Sequence, residues 1–226
     1  YNTSDAYAKW NLALLERLHR AYYDYWKRLK IELHEPEFPL ISIICSTRED
    51  YLAYAEAEEV QSADTKFGYY NMLSNRIVGY DLTGIEGMLP PGQRVSTSEL
   101  VNAILSQPIA ERSVATVVHE AVHQLAYNSG LQTRLADNPV AISEGLAMFF
   151  ESPDLSGSNG WNGIGKINRY NLQIFKQYLA QRPSDSLLTL IRDDKRFQSS
   201  DSVTAAYGES WALVYYLIKT KPKEFC

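Results

Sequence analysis

Cysteine is nearly absent from this chain, with only Cys45 and Cys226 among 226 residues. Two thiols allow one bridge at most, and no C-x-x-C pair exists, so a thiolate zinc site is not indicated. Cys45 lies in an apolar run, where an unpaired thiol is at home; a bridge to Cys226 stays open. Positive charge is also sparse. The net charge is −5 with a pI near 5.4, and no basic run of five or more residues occurs. Phosphate binding needs a positive face, so a nucleic-acid partner is excluded by charge. The same balance disfavours a strongly acidic substrate and mainly serves solubility. No apolar run approaches the roughly 18 residues that span a bilayer, and no secretory signal is visible. The chain starts at Tyr1 rather than Met, so an upstream segment not included here is expected.

What is present is ordinary for a globular protein. Hydrophobic residues make up 45%, enough for a real core, and one domain divided into two lobes around a cleft is the expectation. Residues 4–33 read as one long helix, with Leu14, Leu15, Leu18, Tyr22, Tyr25, Trp26 and Leu29 recurring at three and four. Ser4 or Asp5 can cap its start, and its aromatic stripe reads as a docking face. The prolines of "HEPEFP" break it. "PLISIICST" then reads as a buried strand, "REDYLAYAEAEEV" as a helix, and "KFGYYNMLSNRIVGYDL" as two strands joined near Ser74 and Asn75. "TGIEGMLPPGQR" is a Gly/Pro-rich loop. The second half is mostly helical. "STSELVNAILSQ" is serine-capped and ends at Pro108. "IAERSVATVVHEAVHQLAYNSG" is the next helix, with Asn128 to Gly130 as its stop. Asn138 and Pro139 read as cap and first turn of "VAISEGLAMFFE". After a Gly/Ser-rich loop, two or three more helices finish the chain, the last being "AAYGESWALVYYLIK". The pattern is α+β: a helix at 1–35, then one domain at 36–226, with a sheet-containing lobe at 36–130 and a helical lobe at 131–226.

The stretch "HEAVH" carries the chemistry. Residues four apart on a helix stand one turn above each other, so His119 and His123 present two imidazoles to one cation. Glu120 is rotated by about 100° from His119; it is poorly placed as a third ligand but well placed as a base beside a metal. Val114, Val117, Val118, Ala121, Val122 and Leu125 make this helix largely buried, and buried histidine and glutamate require partners. A catalytic zinc takes three protein ligands. His19 and His34 lie far upstream and read as surface or interface residues. Glu144, 21 positions beyond His123, sits in the apolar "ISEGLAMFFE" at a distance that fits one loop and a return helix, which makes it the candidate third ligand.

"HEAVH" followed by "SEGLAMFFE" resembles the gluzincins, zinc peptidases with two histidines from HExxH and a glutamate from a second helix. The chain more specifically resembles an uncharacterised family of bacterial peptidase-like domains over roughly residues 36–220. Those domains carry a strand–helix–hairpin lead-in, HExxHQ, SEGLA-x-x-F-E and a tyrosine-containing terminal helix. The resemblance implies a zincin-like fold, with a small sheet and hairpin over the HExxH helix, a helical lobe and a cleft between them. It implies Zn2+ held by His119, His123 and Glu144, with Glu120 as base and Glu151 able to orient a ligand histidine. "AYGESWALVYYL" is similar to the aminopeptidase-type helix that supplies a tyrosine hydroxyl to the developing oxyanion. Tyr207 matches that tyrosine, although Ser210 stands where many relatives have glycine; Glu209 and Tyr215 are weaker candidates. An edge strand above the metal holds extended substrate in such peptidases, and Gly68 would permit close approach of a backbone. No G-x-M-E-N stretch is found, which leans away from an aminopeptidase. The resemblance suggests an exported, periplasmic or cell-surface location and a peptide or protein substrate. The competing expectation is a non-catalytic binding or scaffolding module on the same fold, against which Glu120 argues, because a purely structural metal site needs no base. No serine lies in G-x-S-x-G.

Overall fold

The computed structural model describes residues 2–83, 97–155, 161 and 163–225. The loop expected at 83–94, apart from Thr83, lies outside the described residues, as do residues 156–160 and 162 of the Gly/Ser-rich stretch and Cys226. Mixed α+β architecture with a helical majority is what the chain adopts. Helix α1 (Asp5–Arg28) is capped by the Ser4 side chain, which accepts from the Tyr7 N–H. It ends five residues before the expected limit because Lys30 adopts a left-handed φ of 62°. Ile31 N–H then bonds to Trp26 O and Lys30 N–H to Lys27 O, the paired closure that satisfies a helix's last carbonyls. Its stripe of Tyr7, Trp10, Leu14, Leu18, Tyr22 and Trp26 is wholly buried within the chain, against α3 (Thr97–Leu105) and α4 (Ala110–Asn128). The surface that the sequence offers for docking is thus used internally.

Three strands form one sheet in the order β1–β3–β2: β1 (Ile41–Cys45) runs parallel to β3 (Arg76–Tyr80), and β2 (Gly68–Asn71) pairs antiparallel with it. Side chains alternate across a strand, and the two faces have different coverings. Ile44 and Ile77 join the main core with α1 and α4 (Ala110–Asn128). Cys45, Tyr69 and Val78 form a second cluster with Tyr51 and Ala55 of α2 (Arg48–Ala57). Gly68 has a physical role in this packing. A Cβ there would lie 3.0 Å from Val78 O and 3.2 Å from Thr116 Cγ2, so glycine lets β2 approach α4.

After α3 (Thr97–Leu105) and α4, helix α5 (Val140–Phe150) packs on α4 and on α9 (Val203–Thr220). Asn138 does not cap α5: its side chain turns back to Thr133 O and Ala136 O. The first free N–H of the helix, on Val140, bonds instead to Asp194 Oδ1 at 3.3 Å. More helices close the chain than the pattern suggests: α6 (Arg169–Leu179), α7 (Ser186–Arg192), α8 (Lys195–Gln198), α9 and the single turn α10 (Pro222–Phe225). Glycine permits the α5–α9 contact, since a Cβ on Gly145 would fall 2.5 Å from both Ser210 O and Val214 Cγ2. Glu209, a weaker catalytic candidate from the sequence, is a structural clamp. It is 1% exposed and receives Arg182 at 2.7 Å, Arg196 at 2.8 Å and the Ser186 hydroxyl at 2.6 Å. Tyr215 packs on Trp211 and Phe149 in the α5–α9 interface.

Two outcomes follow from this packing. Gly145→Ala should cost about 2 kcal/mol, because α9 must shift to admit the methyl group; chemical denaturation reads this directly. Burial pushes the Glu209 carboxyl up, but the hydrogen bonds from Ser186, Arg182 and Arg196 outweigh it and hold the group below the ordinary glutamate value. Its stabilisation is therefore present above about pH 4.3 and is lost as pH falls through the depressed folded value. Glu209→Gln should cost about 3 kcal/mol near pH 7, and stability profiles of variant and parent should converge on acidification.

Candidate metal centre

One face of α4 is apolar, with Val114, Val118, Val122, Leu125 and Ala126 in the core. That burial turns the opposite face, with Thr116, His119, Glu120 and His123, into a cleft of 460 Å³ also lined by β2, the start of α5 and Tyr207. The helix is registered against the sheet by Gln124, whose Nε2 donates to Asn75 O at 2.8 Å and Ile41 O at 3.1 Å. Asn75 and Asn128 also join their side-chain amides at 2.8 Å. From the far side, α5 supplies Glu144, and its C-terminal boundary supplies Glu151. Ser143, next to Glu144, meets Gln132 Nε2 at 2.9 Å and the Tyr127 hydroxyl at 3.4 Å, tying α5 to α4 and to the loop between them.

The result is convergence. His119 Nε2 lies 3.2 Å from His123 Nε2 and 3.1 Å from Glu144 Oε2, and His123 Nε2 lies 3.6 Å from Glu144 Oε1. One ligand atom from each of the three residues falls within 4.8 Å of the others. A tetrahedral zinc with bonds of about 2.0–2.1 Å to nitrogen and oxygen spaces neighbouring ligand atoms about 3.3 Å apart. The donor set and its spacing therefore fit a metal ion, and His119, His123 and Glu144 form a cluster able to hold one.

Glu151 sits behind His119. Its Oε2 is 2.6 Å from Nδ1, and its Oε1 accepts from Asn168 Nδ2 at 2.7 Å. A carboxylate accepts, so Nδ1 carries the proton and Nε2 faces the other two donors, the tautomer a ligand histidine needs. Asn168 is in turn fixed as the cap of α6, its Oδ1 accepting from Asn171 N–H. Sequence reasoning reached Glu151 but missed Asn168; the asparagine before an amphipathic helix signals a cap, and nothing in the sequence signals its second bond.

Electrostatics follow from this geometry. Burial pushes His119 down, but Glu144 and Glu151 outweigh it and raise it well above the usual imidazole range. Burial dominates at His123, pushed down to about 4. Glu144 is pulled to about 2, because His123 and His119 outweigh the effect of burial. Glu120 is pushed up to about 7, chiefly by burial, with Glu144 adding to it and His119 opposing. Its Oε2 accepts the Tyr70 N–H at 2.8 Å, a contact with the free edge of β2 that the sequence does not show. Tyr207 lines the same cleft. Burial, then the charges of Glu144, Glu120 and Glu151, push its hydroxyl above the usual tyrosine range, so it stays a protonated donor, and it has no hydrogen-bond partner among the described residues. The remaining histidines lie elsewhere. His19 is 3.8 Å from Glu35, and the His34 ring packs against Gly130.

Residues 113–226 match the family described as Protein of unknown function (DUF1570), and the chain belongs to that family. The match is narrower than the resemblance over 36–220, but it contains His119, His123, Glu144, Glu151 and Tyr207. Comparison with curated proteins and with solved structures gives no match. No helix among the described residues is long and apolar enough to cross a membrane.

Removing an orienting carboxylate behind a ligand histidine typically costs 10- to 100-fold in metal affinity. Glu151→Gln should weaken zinc binding by about that factor, and His119→Ala should abolish stoichiometric binding. Chelator competition, with elemental analysis of dialysed protein, checks both.

Proposed function

We propose that the protein is a zinc-dependent hydrolase of the gluzincin type, with a zincin-like architecture, cleaving peptide bonds. The observation that carries this reading is the meeting, in one cleft, of a metal-capable His119–His123–Glu144 cluster with a separate buried carboxylate, Glu120, tied to a sheet edge. A bound zinc would supply Lewis acidity toward a water and toward the substrate carbonyl oxygen.

The chain's own groups supply the rest. Glu120 has one oxygen held by the Tyr70 N–H and the other, without a partner among the described residues, positioned to take the proton of the attacking water and return it. It passes that proton to the departing amine. Tyr207 donates its hydroxyl to the carbonyl oxygen as negative charge develops there. Strand β2, with only β3 beside it among the described residues, offers its other edge to an extended peptide backbone. A peptide or protein substrate accords with this chemistry.

Glu120→Gln keeps the shape and the acceptor for Tyr70 but removes the base. It should lower turnover about 10³-fold with zinc content unchanged, and Tyr207→Phe should lower it about 10²-fold with KM little altered. Digestion of a peptide library with zinc and with chelator provides the reference. A Glu120→Gln variant as fast as the parent would remove the assigned base.

A further inference from the structure

The cleft floor is strongly acidic, with Glu120, Glu144 and Glu151, yet one end is lined by two cations, Lys66 and Arg112. Both side chains are exposed, and neither has a carboxylate partner among the described residues. The Arg112 guanidinium lies 4.9 Å over the Phe67 ring. That contact holds the guanidinium beside the cleft, and no hydrogen bond from it is made among the described residues, so its fork of N–H groups can receive a carboxylate in two parallel bonds. Lys66 adjoins Phe67, on which Arg112 rests, and both cations line the same cleft. The cation pair is local, so it does not contradict a chain of net charge −5.

The direction of the cleft gives the pair a meaning. Strand β2 and helix α4 run in the same sense: Gly68 meets Thr116, the Tyr70 N–H meets Glu120, and the Tyr70 ring stacks on Tyr127. A peptide adding to β2 in the antiparallel sense, the more frequent pairing, runs its C-terminal portion toward Gly68 and so toward Lys66 and Arg112. Arg112 precedes His119 by seven residues, about 10 Å of helix rise, which is roughly three residues of extended chain. We propose that Lys66 and Arg112 form a carboxylate subsite, selecting peptides with an anionic group about three residues beyond the scissile bond, supplied by the C-terminus or by an acidic side chain. This rests on the peptidase reading and deepens it to a substrate class.

The test uses zinc-loaded protein and paired peptides followed by mass spectrometry: free C-terminal acid against amide, and glutamate against glutamine at the third position after the cut. Binding of the same peptides to the E120Q variant is measured by calorimetry. At least one member of a pair should show a kcat/KM advantage of about tenfold for the acid, matched in affinity for E120Q. The advantage should shrink as salt rises and collapse toward one in Lys66→Met and Arg112→Met. An advantage confined to the C-terminal pair, with cuts two or three residues from the end, assigns the terminal carboxylate; an advantage confined to the glutamate pair assigns the side chain. Cleavage of both members of every pair at equal rates overturns the subsite while leaving the peptidase reading intact. Absence of both cleavage and binding across the panel overturns the peptidase reading, and the subsite with it.

Discussion

The bond between Glu151 and His119 is the contact on which the site depends. Two imidazole nitrogens and the two Glu144 carboxylate oxygens meet at 3.1–3.6 Å. Glu151 holds the His119 ring in place from behind, at 2.6 Å. Without that carboxylate the His119 ring could rotate, and Glu144 would be a buried anion beside an imidazole of undefined polarity, a costly arrangement. Asn168 extends the support outward to α6, so the orientation of His119 is set by two successive elements, the end of α5 and the start of α6.

Packing supplies the precision that hydrogen bonds alone do not. Helices α4 and α5 carry inward-facing polar groups, and polar groups tolerate little positional error when water is excluded. Two glycines bring the surrounding walls close. Gly68 lets β2 rest on Thr116, which puts the Tyr70 N–H at Glu120. Gly145 lets α9 rest on α5 directly beside Glu144, which brings Tyr207 into the same cleft. Each close approach is made one or two residues from a group that faces the cleft, so a small displacement of either wall would be felt there at once.

Much of this was legible in the amino-acid order. The 3.6-residue spacing around HEAVH and the apolar run around Glu144 mark α4 and α5, because a helix that buries one face must repeat its apolar residues at three and four. The hairpin and β1 are marked by β-branched and aromatic residues between turn signals. Features that depend on distant partners were not legible. Asn138 looks like a cap because its type is right, yet Asp194, 54 residues away, receives the Val140 N–H. Glu209 beside Tyr207 suggests catalysis until Arg182 and Arg196 are seen against it. Lys66 and Arg112 are single exposed cations with no motif, and only the fold places them at one opening.

The family match begins at Ser113, inside α4, and this boundary coincides with a division of physical labour. Every donor of the metal-capable cluster, its supports Glu151 and Asn168, and Tyr207 lie on the matched side. The opposing wall (β2, Gly68, Phe67 and Lys66) lies on the other. Behind the cleft the two sides share a core, with the α1 stripe on α4 and α5 and hydrogen bonds between Tyr7 and Ser113 and between Tyr22 and Ser129; across the cleft the contacts among the described residues are Gly68 on Thr116, Gln124 with Ile41 and Asn75, Asn128 with Asn75, Tyr70 with Tyr127, and the Tyr70 N–H on Glu120. Of these, only the last touches a group assigned to chemistry, and it does so through the backbone, which every residue but proline supplies. Side chains of the wall can therefore change without disturbing the cluster. On the proposed reading, that arrangement would keep the reacting groups on the matched side and leave recognition to the sheet edge and the cations beside it.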